Sequence, residues 1–192
     1  QRPSQGWGTA EQVQDPVYAA GAFYDQLVNV SGYQELEITD AAQQVQRSAY
    51  PAAYADHEGD ARALASALTG NSPATFACSL RPAGVELQAE GADGLTDRAR
   101  LVRDELTGAF GSLSLGGFQP GGLTSGHMDG SAHYEGRAID VFFEPVGGRG
   151  TAQGWAAAQW LVAHADRLDV ATVIYDDQVW TARRSTQGWR PY

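Results

Sequence analysis

Ser131-Ala132-His133-Tyr134-Glu135-Gly136-Arg137-Ala138-Ile139-Asp140, running on into Val141-Phe142-Phe143, is the stretch from which both the fold and the chemistry are read. His133 and Asp140 stand seven residues apart, with Gly136 between them and an apolar run over 138–143. That pattern predicts a turn that delivers His133 and a strand that delivers Asp140. Gly136 permits the sharp backbone geometry between the two. An imidazole nitrogen and a carboxylate oxygen are ligand types of a catalytic zinc site, which uses about three protein ligands and keeps one position open for water. The plainer alternative is a surface-turn histidine beside a buried carboxylate satisfied by backbone donors.

The pattern Ser131-x-His133-x-x-Gly136-x-Ala138-x-Asp140 resembles the signature of the zinc D-Ala-D-Ala carboxypeptidases and Hedgehog-like peptidases. The resemblance implies a zinc peptidase acting on peptidoglycan stem peptides, with His133 and Asp140 as two of three metal ligands. It also implies a third ligand, a downstream histidine often found in a His-x-His pair on the last strand. No histidine follows His164 in this sequence, so the third ligand is expected after Tyr192.

Working outward, composition narrows the classes. The chain has 192 residues, 43% of them hydrophobic, which suffices for one domain or two small ones with a real core. A net charge of -10 with 13 basic residues, all arginine, argues against a nucleic-acid-binding surface. No apolar run reaches transmembrane length, so membrane insertion is not expected. The chain opens on Gln1 rather than Met, and an upstream segment is expected. Cys78 is the only cysteine and reads as a small buried hydrophobe, or as one that has lost a partner outside this stretch.

Residues 1–69 read as helical. Asp15-Pro16 is an N-cap followed by proline at the first helical position, and Val17, Ala20, Phe23, Tyr24 and Leu27 recur at helical spacing up to Gly32. A second helix is expected from Thr39-Asp40, with Ala42, Val45 and Ala49 on one face, and a third over 54–68 after Pro51. The blocks Gln1 to Thr9, Asp15-Pro16-Val17-Tyr18-Ala19 and Val45 to Pro51 resemble the C-terminal half of a lysozyme-like module of secreted cell-wall proteins. In such enzymes the general-acid glutamate lies upstream of this half, so no glycosidase activity is expected here.

Residues 70–75 form a turn-rich linker, and 76–192 read as a second, α+β domain with a central antiparallel sheet of the Hedgehog or DD-peptidase kind. The expected elements are a strand at 85–88, a helix at 96–110, a strand near 113–118, a Gly-rich loop at 120–130, the motif strand, a helix at 151–168 and a hairpin of 170–175 with 178–182. The order of motif, helix, strand, Val179-Trp180 hairpin and Gly188-Trp189-Arg190 resembles one secreted actinobacterial family related to those peptidases.

Several other residues could join the site. His127, six residues before His133 in the Gly-rich loop, is a substitute ligand or a substrate contact, or a solvated turn residue. Asp129 shares its setting. Arg137 carries a planar fork suited to a stem-peptide carboxylate, or to a neighbouring acid such as Glu135 or Glu144. Trp180 is a flat surface for sugar or peptide, or a core residue. Ser131 is expected to support the metal-bound imidazole. His164 and His57 read as packing or surface residues. Two functions follow as expectations. The first is a secreted, peptidoglycan-directed zinc peptidase. The second is a non-catalytic module that binds the cell wall or a protein partner.

Overall fold

In a computed structural model of the chain, which describes residues 1–80 and 87–192, two compact units are formed, Gln1–Ala63 and Leu64–Tyr192. The architecture is α+β with a helical N-terminal part. Among the described residues no helix is long and apolar enough to cross a membrane.

The first unit contains α1 (Pro16–Leu27), α2 (Ile38–Gln46) and most of α3 (Ala55–Leu68). The Asp15 carboxylate accepts from the amides of Val17 and Tyr18, so the expected cap is in place. The helix α1 ends before Gly32. The Asn29 side chain donates to the carbonyl of Asp25, and the amides of Asn29 and Val30 reach three residues back. Those tighter bonds close the helix early. In α2 the buried face is Ala41 and Val45; Ala49 falls past the end, because Arg47 turns left-handed at φ 49°.

The second unit holds α4 (Asp97–Phe110), β1 (Ser114–Gly116), β2 (Asp140–Phe142), α5 (Gly148–Ala163), α6 (Ala165–Leu168), β3 (Thr172–Tyr175), β4 (Gln178–Thr181) and β5 (Arg190–Pro191). Its strands form two antiparallel sheets, β1-β2 and β3-β4-β5, where one central sheet was expected. The two strands of the β3-β4 hairpin are joined by Asp176 and Asp177, both at positive φ, as a two-residue turn matched to strand twist requires. Of the strand expected at 85–88, Val85 and Glu86 lie outside the described residues, and Leu87 and Gln88 are in no strand.

The core lies where α5 packs on the β3-β4 hairpin. Trp155, Ala158, Val162, Ala165, Val173 and Trp180 form one buried cluster. The expected helix 151–168 is two helices, broken at His164, whose ring Nδ1 donates to the carbonyl of Trp160 at 2.8 Å. Residues 70–75 pack within this unit. Fully buried Gln159 accepts from the amides of Thr75 and Phe76 and donates to the carbonyls of Ala67 and Ser72. The two amides thereby gain the partner they would otherwise lack, while the carbonyls of Ala67 and Ser72 also accept from the Gly70 amide and the Thr75 hydroxyl.

Candidate metal centre

The site is assembled from backbone outward. Antiparallel pairing of β1 with β2 sets Gly116 opposite Asp140, so the chain leaving β1 at Gly117 passes directly beside that carboxylate. The short 3₁₀ turn Ala132–Glu135 carries His133, and Ser131 starts it, its hydroxyl accepting from the His133 amide. Gly136 ends the turn at φ 59°, where a Cβ would meet the carbonyl oxygen of Gly94 at 2.5 Å. Its own carbonyl accepts from the amide of Thr96, the residue that caps α4. Gly136 is thus required both by its backbone angle and by the close approach of the loop before α4. The motif turn is joined to α4 on one side and to β2 on the other.

These elements bring together His127, His133 and Asp140. Each offers a ligand atom, and those atoms all lie within 4.8 Å of one another. The His133 Nδ1 donates to the carbonyl of Gly117 at 2.8 Å. That bond places the ring proton on Nδ1 and leaves the Nε2 lone pair free; Nε2 stands 3.4 Å from Asp140 Oδ1. A backbone carbonyl on the far nitrogen is a common way to fix a ligating imidazole. The His127 ring stacks on that of His133, centroids 4.0 Å apart and 7° from parallel. Gly117 is itself part of the cradle. At φ 78°, a Cβ there would come within 2.5 Å of the His133 ring and 2.8 Å of Asp140 Oδ2. All three candidate ligands are half-buried, accessible to an ion yet ordered by their neighbours. Two imidazoles and one carboxylate are a donor set suited to a first-row divalent metal, and the group could hold such an ion.

The residues singled out in the sequence therefore divide. His133 and Asp140 meet, and His127 from the Gly-rich loop joins them. The ligand expected beyond Tyr192 lies outside this sequence; among the described residues a third ligand-type side chain, His127, stands six residues before His133. Ser131 holds the start of the turn through the His133 amide rather than the ring. Arg137 pairs with Glu135 through its Nε and one terminal nitrogen, an exposed ion pair at the edge of the turn. Trp180 is 0% exposed in the core, which removes its ring from any groove. Asp129 is exposed and outside the cluster, and His164 stacks on Trp160. Two residues of the site were not anticipated, Gly117 and Tyr134. The Gly116-Gly117 pair at a strand end was the one available signal for the first. Nothing marked the second.

The domain is a small α+β unit whose strand pair and motif turn bring two histidines and an aspartate within reach of one point, a group that could hold a metal ion. The chain is more narrowly placed by its sequence. It belongs to the family described as VldE, C-terminal domain, whose model matches residues 91–192, just over half of its length and the whole of this site. No curated protein and no solved structure matches the chain.

Proposed function

We propose that the chain carries a secreted, peptidoglycan-directed zinc peptidase domain whose metal is held by His127, His133 and Asp140. The observation that carries this reading is the convergence of the three ligand-type groups, with the His133 tautomer set by Gly117. The resemblance of the motif to the zinc D-Ala-D-Ala carboxypeptidases supplies the substrate class, stem peptides of the cell wall, and the secreted location.

In this reading each residue has a defined task. A zinc ion held in such a site lowers the pKa of water to about 7 and polarises a scissile carbonyl. His133 presents Nε2 because its other nitrogen is committed to Gly117. Asp140 supplies the single negative charge among the three, which reduces the ion's charge without cancelling its acidity. Gly117 leaves the space the two ligands occupy. Arg137 pairs with Glu135 at the edge of the turn.

The test is zinc stoichiometry and affinity for the wild type and for His127→Ala, His133→Ala and Asp140→Ala, followed by release of D-alanine from a stem pentapeptide. One zinc per chain, lost in His133→Ala and Asp140→Ala and weakened in His127→Ala, is expected, with peptide cleavage that a chelator abolishes. Zinc at background in the wild type overturns the reading. Zinc bound without cleavage reduces it to a metal-stabilised cell-wall binding module.

A further inference from the structure

His127 is the ligand that needs explaining. Asp140 lies on a strand and His133 on a hydrogen-bonded turn, but His127 sits in an irregular loop, flanked by Gly126 and by exposed Met128 and Asp129. A loop residue without ladder or helix bonds spends much of its time away from any one geometry. Its donor atom would then reach the other two only at an entropic cost that weakens binding.

One side chain removes that freedom. The Tyr134 hydroxyl accepts from the His127 amide at 2.9 Å and donates to the His127 carbonyl at 2.5 Å. A single oxygen thus holds both main-chain groups of one residue, fixing the peptide planes on either side of its Cα and hence the direction of its Cβ. The phenol ring also stands edge-on to the imidazole, centroids 6.0 Å apart and 77° between planes. Tyr134 follows His133 in the chain and shares its 3₁₀ turn. The turn that presents one ligand therefore also locates the other. With its proton directed to the His127 carbonyl, the phenol is not the group that shuttles protons in this arrangement.

We infer that Tyr134 is a positioning residue which, through a two-way hydrogen bond to the backbone of His127, builds the third arm of the metal site. The inference rests on the reading of His127, His133 and Asp140 as metal ligands. It assigns Tyr134 an effect on metal binding that passes entirely through His127.

Cobalt(II) serves as the probe, because its visible absorption reports ligand number and geometry. Wild type, Tyr134→Phe, His127→Ala and the double variant are titrated with the metal alone, and the thermal midpoint of each is measured without metal. Tyr134→Phe keeps the ring and removes only the hydroxyl. The expected result is a roughly tenfold to hundredfold loss of cobalt affinity in Tyr134→Phe, the range typical of outer-shell partners, and an absorption spectrum moved toward that of His127→Ala. In the His127→Ala background the same substitution should change neither affinity nor spectrum, since the residue it acts through is gone. Wild-type affinity and spectrum in Tyr134→Phe would overturn the inference while leaving the metal reading intact. An equal loss in both backgrounds would also overturn it, by assigning the hydroxyl a general structural effect. No cobalt binding by the wild type would remove the metal reading, and the inference with it.

Discussion

The two halves of the second unit are built on opposite principles. Around the β3-β4 hairpin, α5 buries Trp155 (1% exposed), Val162 (0%) and Trp180 (0%), and order comes from apolar area taken out of water. Within the β1-β2 pair no residue is fully buried, and Phe142 is 52% exposed. There the order comes from directed bonds to main-chain groups: His133 to Gly117, Tyr134 to His127, Thr96 to Gly136. Apolar packing is strong but tolerant of small shifts. Hydrogen bonds to carbonyls and amides are individually modest yet set direction. The comparison teaches that this protein separates what holds it folded from what aims its candidate ligands. It follows that fold stability and metal affinity should fail independently.

The largest break in that separation comes from Trp180→Ala. Truncating a fully buried Trp removes both its transfer energy and its packing, at about 3–5 kcal/mol. Urea denaturation should show this loss, and metal affinity measured on the remaining folded protein should be near wild type. A large loss of stability together with an equal loss of affinity per folded chain would show that the two halves are not separate. Next is Gln159→Leu. It leaves the amides of Thr75 and Phe76 without their partner, and unpaired buried groups cost roughly 1–3 kcal/mol each, so a destabilisation of about 2–4 kcal/mol is expected. Gln159→Glu retains the acceptor for Thr75 and Phe76 but sets a carboxylate against the carbonyls of Ala67 and Ser72, and should be no better.

The same division explains what was legible in the sequence. The helices expected over 96–110 and 151–168, and the hairpin of 170–175 with 178–182, follow from apolar periodicity and β-branched runs, which act over a few residues; the first turn of α5, Gly148 to Gly150, carries no such signal. His133 and Asp140 could be read because their spacing sits within one turn and one strand. His127 could be weighed, but nothing local says that a loop histidine folds back onto another ring. Gly117, Tyr134 and Gln159 act across the fold or through main-chain groups. Gln159 reaches backbone atoms more than 80 residues away, and side-chain-to-backbone bonds leave no periodic trace. Trp180 was ambiguous for a different reason: an aromatic residue on a strand suits a groove and a core equally until the other face of the sheet is known.

A substitution that reverses the pattern of Trp180 is Gly117→Ala. Its φ of 78° disfavours any side chain, and the added methyl would lie 2.5 Å from the His133 ring. Metal affinity should fall about a hundredfold, the upper end of what displaced outer-shell partners cost, while the urea midpoint moves far less than in Trp180→Ala. Titration calorimetry beside a denaturation curve decides it. Wild-type affinity in Gly117→Ala would mean that the ligands approach from a different direction.

The smallest effect tests the junction where the directed-bond half meets α4. The loop that presses Gly94 and Leu95 against Gly136 is pinned by Asp93, whose carboxylate takes Arg100 at 2.9 Å and Arg103 at 2.8 Å. The hydrogen bond from Arg100, joined by the Leu95 amide and Arg103, holds the Asp93 carboxyl well below the usual carboxylate range. A carboxyl with a lowered folded pKa adds stability that is complete above its ordinary pKa of about 3.9 and fades as pH falls toward the lowered value. The three side chains are only half-buried, so water and salt still screen them and the contribution is modest. Asp93→Asn should therefore be slightly less stable than wild type at pH 6, with the gap closing as pH drops below about 4. Denaturation midpoints of both proteins at pH 6 and pH 2 provide the measurement. A gap that stays constant across that range would assign the loop's position to Gly94 and Gly136 packing alone, and would leave the ion pairs without a part in setting the motif turn.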